Sequence, residues 1–148
     1  MRTKTYLHLV VSTIAPQLQP QYGPSSNGLI TTSLVQSAQE DEGAISSILF
    51  HASLHADVQN SQKNTWSSST LYYHGRTVRI LQERLRSGDD VASDSSICMV
   101  AFLAASGNIT GDIAPTRSHW TALRTMLDMR GGWEVLGWNG ALAHIIQM

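Results

Sequence analysis

The sequence predicts an all-α fold of roughly six to seven packed helices, with residues 1–148 forming one domain. Three observations carry this. Apolar residues recur at three- and four-residue spacing through most of the chain, and these stretches are punctuated by turn signals rich in Gly, Pro and Ser. One stretch, 115–136, joins a helix start, an amphipathic helix and a double-glycine stop. Finally, 148 residues at 42% hydrophobic and 14% charged suffice for one domain with a real core.

The stretch 115–136 (PTRSHWTALRTMLDMRGGWEVL) is the sharpest local signal. Pro115 suits a first turn, where its missing N–H costs nothing, and Thr116 or Ser118 can cap backbone donors there. From Thr116 onward Trp120, Leu123, Met126 and Leu127 share one face, with Arg117, Arg124 and Asp128 elsewhere. Arg124 and Asp128 stand four apart and can pair, a minor contribution of about 0.3–0.5 kcal/mol. Arg130 suits the negative end of the helix dipole, and Gly131 can adopt the left-handed conformation that terminates it. A phosphate-cradling reading of Gly131 and Gly132 fails, because such glycines precede a helix and are usually followed by Lys with Ser or Thr.

A net charge of -1 gives no electrostatic footprint for nucleic acid. The single Cys98 excludes an internal disulfide and a cysteine-rich zinc cluster, and points to a reducing compartment.

In chain order, Arg2 and Lys4 precede an apolar stretch that faintly imitates a secretory signal. His8, Ser12 and Thr13 interrupt it, whereas Tyr6, Leu7, Val10, Val11 and Ile14 keep helical spacing, so a packing helix ending at Pro16 is expected. Residues 17–28 have the composition of an irregular loop. A short helix is expected over 29–39, and a second from Ala44, preceded by the acidic Glu40, Asp41 and Glu42 and running through Ile45, Ile48, Leu49 and Ala52 toward Val58. A long helix over 69–86 follows, with Leu71, Val78, Leu81 and Leu85 as its buried stripe and Tyr72 or His74 at the margin. Its arginines, interrupted by Glu83, read as a solvated face. Ser93 or Asp94 then caps a helix whose interior, 97–105, is apolar nearly all round and therefore central, though too short and polar to cross a bilayer. Asn108, Ile109 and Thr110 match a glycosylation acceptor, which carries weight only in a secreted chain. Beyond Gly132, Trp133, Val135, Leu136 and Trp138 lead into a last helix from about Asn139 that ends abruptly; a C-terminal truncation relative to a longer ancestor is expected.

Several of these phrases together carry a family resemblance. They are the run 71–85 (LYYHGRTVRILQERL), Ser93-Asp94 opening an apolar helix, Gly111-Asp112, His119 with Leu123, and Met129-Arg130-Gly131-Gly132. With 6–19 and 45–57, they make the chain resemble the regulatory domain of fungal-specific zinc-cluster transcription factors. Members join an N-terminal binuclear zinc cluster built on six cysteines to an all-helical regulatory region. The resemblance implies no catalytic residue, no cofactor and no metal in this chain. His119, Leu123, Arg130, Gly131 and Gly132 are then structural positions of the family motif. It also implies a nuclear location and protein partners in the transcription machinery or a related factor. With one cysteine, the zinc cluster and its DNA contact transfer to no position here, so no direct nucleic-acid contact is expected from this chain. Ala122 stands where the family often has glycine, and 104–106 lacks an acidic residue often found there.

The function expected is that of a stand-alone or truncated regulatory domain acting through protein contacts. One alternative is a helical small-molecule-binding or dimerisation module with an apolar pocket near Trp120, Trp133 and Trp138. Another is a metal-dependent hydrolase using His51 and His55, four apart on one helical face. Ala52 occupies the place where the zinc-protease motif has its glutamate, no third ligand is evident, and there is no G-x-S-x-G elbow, so a structural role for both histidines is favoured.

Overall fold

The computed structural model describes residues 40–60, 65–88, 91–132 and 136–137. These hold four α-helices, α1 (Glu42–Asn60), α2 (Ser68–Ser87), α3 (Asp94–Thr110) and α4 (Arg117–Arg130), with a 3-10 turn at Ala114–Thr116 leading into α4. All regular structure among the described residues is helical. The helices expected over 6–14, over 29–39 and beyond Asn139 lie outside the described residues, as do the loop 17–28, Trp133 and Trp138.

α1 begins at Glu42, two residues ahead of the expected Ala44, because Asp41 caps it: its Oδ1 accepts from the N–H groups of Gly43 at 2.8 Å and Ala44 at 3.0 Å. α1 packs between α2 and α3, and its residues are buried nearly all round from Gly43 to Leu54. The serines in that span are satisfied inside the core. Ser47 and Ser53 hydroxyls donate back to the carbonyls of Ala44 and Phe50, and Thr77 of α2 donates to Ser46 at 3.1 Å. Ser46 and Thr77 are the small hydroxyl-bearing residues where α1 meets α2, while Ser47 lies against Cys98.

α2 corrects the expected stripe. Leu71 and Leu85 are 57% and 53% exposed, Tyr72 is 59% exposed, and Val78 is only partly buried. Of the expected stripe Leu81 is buried, and it shares the inward face with Thr70, Tyr73, Thr77 and Ile80. Residues 71, 78 and 85 do share a line at seven-residue spacing, but Thr77 and Thr70 occupy the inward line because they bond across to Ser46 and Asp57, which leucines cannot do.

α3 is the central helix, as expected, and is buried from Ser95 to Gly107. Ser93, rather than Asp94, is its cap, accepting from the Ser96 N–H at 3.1 Å. α1 lies on one side of it, and the 3-10 turn and α4 on another. Phe50, Phe102, Ile48, Leu54, Ile97, Met99 and Leu103 are the bulkiest fully buried apolar side chains of the core, with Phe50 turned to Trp66 and His74 on the α2 side.

α4 buries Leu123 and Met126, with Trp120 and Leu127 partly buried against the same core, as the spacing predicts. It starts where expected, at Arg117 with Thr116 in the cap position, but its capping differs. Pro115 lies in the 3-10 turn, and neither Thr116 nor Ser118 caps the helix; the Thr116 hydroxyl donates to the Ile113 carbonyl, turned back into the preceding turn. Arg124 and Asp128 form no ion pair in the structure; both are exposed, where water competes with so weak a pairing. Gly131 has φ 91°, its N–H donating to the Asp128 carbonyl and that of Gly132 to the Leu127 carbonyl, the paired closure of a Schellman motif. Arg130 ties this end to the start of α3, with Nη1 3.0 Å from Asp94 Oδ1 and 3.0 Å from the Ala92 carbonyl.

Candidate functional site

The ends of four elements frame a cleft. The C-terminal part of α1 supplies Asp57 and Val58, the segment before α2 supplies Thr65 and Trp66, and α2 supplies His74. α3 contributes its last turns, and the 3-10 turn and start of α4 contribute Thr116 and His119. The cavity measures about 310 Å³, at the lower end of the roughly 300–1,000 Å³ range of small-molecule sites.

Each wall has a local cause. Trp66 sits one residue before the Ser67 cap of α2, and its ring is held by Phe50 at 5.6 Å and His74 at 5.1 Å between centroids; Phe50 and His74 are themselves 5.1 Å apart. Asp57 fixes the start of α2, its Oδ2 accepting from the Thr70 hydroxyl at 2.6 Å and the Ser67 N–H at 2.9 Å. On the opposite wall the turn before α4 approaches α3 closely at Gly107. A Cβ there would meet Thr116 Oγ1 at 2.5 Å and the Asp112 carbonyl at 2.9 Å, so the floor of the cleft requires a residue without a side chain.

The electrostatics follow from composition. Among the described residues the lining holds two acidic side chains, Asp57 and Asp112, and neither Arg nor Lys. Burial lowers the pKa of His74, with the nearby His119 adding to the effect, and burial likewise lowers His119. Both imidazoles are therefore predominantly neutral at pH 7, each offering one donor and one acceptor nitrogen.

The other histidine pair is core. His51 is 2% exposed, tilted against Phe102 at 4.7 Å and edge-on to His55 at 4.8 Å. Burial, reinforced by His55, brings its pKa down to about 3, and its Nδ1 is buried with no hydrogen-bond partner. Among the described residues no group of three His, Cys, Asp or Glu side chains is placed to hold a metal.

Of the motif positions, His119 lines the cleft, Leu123 lies in the core, Arg130 bridges to Asp94, and Gly131 and Gly132 close α4. Of the tryptophans expected around a pocket, Trp120 packs against the core, and Trp133 and Trp138 lie outside the described residues; among the described residues Trp66 lines the cleft. Trp66, His74 and Asp57 are not legible as a site in the sequence, since Trp66 lies in a polar run and the others on separate helices. A large aromatic immediately ahead of a helix cap is the one local signal.

No family model, curated protein or solved structure matches the chain. Among the described residues no helix is long and apolar enough to cross a membrane.

Proposed function

We propose that this chain is a non-catalytic helical regulatory module of the kind found in fungal zinc-cluster transcription factors. It acts through protein contacts, and occupancy of the cleft beside Trp66 and His119 sets its state. The observation that carries the reading is the cleft itself: a cavity of about 310 Å³ walled by one tryptophan, two neutral imidazoles and two carboxylates. Among the described residues no serine or cysteine nucleophile in it is paired with a base: Ser106 donates to the Leu103 carbonyl at 2.7 Å. Such a lining suits holding a molecule rather than transforming one.

The exposed apolar side chains Leu71, Tyr72 and Leu85 on α2 support the protein-contact part of the reading. The resemblance in 71–85 and in His119, Leu123, Arg130, Gly131 and Gly132 supports the transcriptional context, and a nuclear location goes with it.

The test is a reporter fusion. The full chain is placed between a heterologous DNA-binding domain and an activation domain in a fungal host. Output should differ several-fold from a fusion lacking the chain, and Trp66→Ala should shift it. Identical output from all three fusions would refute a regulatory role.

A further inference from the structure

The cleft's lining restricts the charge and shape of what it can hold. Trp66 and His74 both line the cavity, and the aromatic trio with Phe50 fixes their orientation. Both hydrogen bonds that Asp57 accepts go to Oδ2, leaving Oδ1 without a protein donor among the described residues. Asp112 adds a second carboxylate at the exposed rim. Among the described residues no Arg or Lys lines the cavity to neutralise either acid or to bind an anion.

We infer that the cleft binds a small aromatic amine in its protonated form, one or two fused rings lying against Trp66 and a cationic nitrogen directed to Asp57 and Asp112. This deepens the regulatory reading above and rests on it. An anionic ligand would bring like charge to two carboxylates in a partly desolvated site. A neutral apolar ligand of the same shape would strip water from those acids and give nothing back. An ammonium group satisfies them and gains further from the face of the indole ring. A cavity of about 310 Å³ accommodates a bicyclic ring with a short arm rather than a larger scaffold.

Calorimetric titration of the full chain at pH 7.5 with three isosteric probes, tryptamine, tryptophol and indole-3-acetate, separates the terms. Tryptamine should bind at least about tenfold more tightly than tryptophol, since a charge-assisted hydrogen bond in such a site exceeds about 1.4 kcal/mol. Indole-3-acetate should give no saturable heat. Asp112→Asn, whose carboxylate accepts no hydrogen bond within the described residues, should leave the fold intact and shrink the preference of tryptamine over tryptophol to about threefold or less. Asp57→Asn should erase it, with its melting curve showing whether the start of α2 survives. Equal binding of tryptamine and tryptophol, or tighter binding of indole-3-acetate, would overturn the ligand class while leaving the cleft a binding site. No saturable heat from any probe would overturn the inference altogether, and the reporter fusion would then decide the regulatory reading by itself.

Discussion

Arg84 Nη2 lies 3.0 Å from each carboxylate oxygen of Asp41, joining the last turn of α2 to the residue that caps α1. The same carboxylate accepts from the Ser95 hydroxyl at 2.5 Å, in the first turn of α3. Three helix ends therefore meet on one side chain. Burial alone would raise the Asp41 pKa, but the hydrogen bonds from Ser95, the Ala44 N–H and Arg84, together with the Arg84 charge, outweigh it and bring the carboxyl below its ordinary value of 3.8.

Asp41→Asn should accordingly lower unfolding stability by about 2 kcal/mol, the scale of a hydrogen-bonded charge at a partly buried site. A carboxyl with a depressed folded pKa stabilises in full above pH 3.8, and that contribution is lost as pH falls through the folded value. Urea unfolding should thus show the Asn variant's deficit undiminished from about pH 7 to about pH 5. A deficit that vanished at the upper end of the acid range would contradict the network described.

His51 should dominate behaviour in that same interval. Its folded pKa of about 3 lies far below the ordinary 6.5, so the unfolded chain takes up the proton first and stability declines as pH falls from 6.5 toward 3. By about pH 5 the loss is about 2 kcal/mol, at roughly 1.36 kcal/mol per unit. His55, His74 and His119, all lowered by burial, act in the same direction. His51→Leu should flatten the pH dependence and leave stability at neutral pH little changed, since it also removes the unpartnered Nδ1. An unchanged slope would show that His51 is charged in the folded state.

At Gly131 the space is open, with nothing within 4 Å of where a Cβ would stand, yet φ is 91°. Gly131→Val should therefore cost about 1 kcal/mol or more through backbone strain alone. Differential scanning calorimetry gives the value, and an unshifted melting temperature would mean that α4 ends by another route.

Two leucines of α2 should behave oppositely. Leu81 is 8% exposed, and Leu81→Ala should cost about 2 kcal/mol or more. Leu85, 53% exposed, should tolerate Leu85→Ser within about 0.5 kcal/mol. Comparable losses at both sites would restore the seven-residue stripe as a buried surface.

How far the fold is legible in the sequence depends on where its information resides. The boundaries of α3 and the end of α4 can be read locally, because Ser93, Gly131 and Gly132 act within their own turns. The inward face of α2 cannot. Leucine periodicity points to 71, 78 and 85, whereas the face that packs is selected by Thr70 and Thr77, whose partners Asp57 and Ser46 belong to another helix. The cleft is further removed still, since Asp57, Trp66, His74 and His119 come from four separate places and share no spacing. Of these, His119 alone stands out in the sequence, and for its place in a motif rather than for its position at a cavity wall.

Cys98 has its sulfur enclosed in the helical core. It is 0% exposed, 3.7 Å from the Ser47 hydroxyl, and burial pushes its thiol up to about 12. A maleimide reaches that sulfur only when α1 and α3 separate, so the rate of labelling counts openings of the whole helical core. The sequence has no other cysteine to contribute background. The native chain thus carries its own clock for cooperative unfolding, readable by mass without any engineered probe.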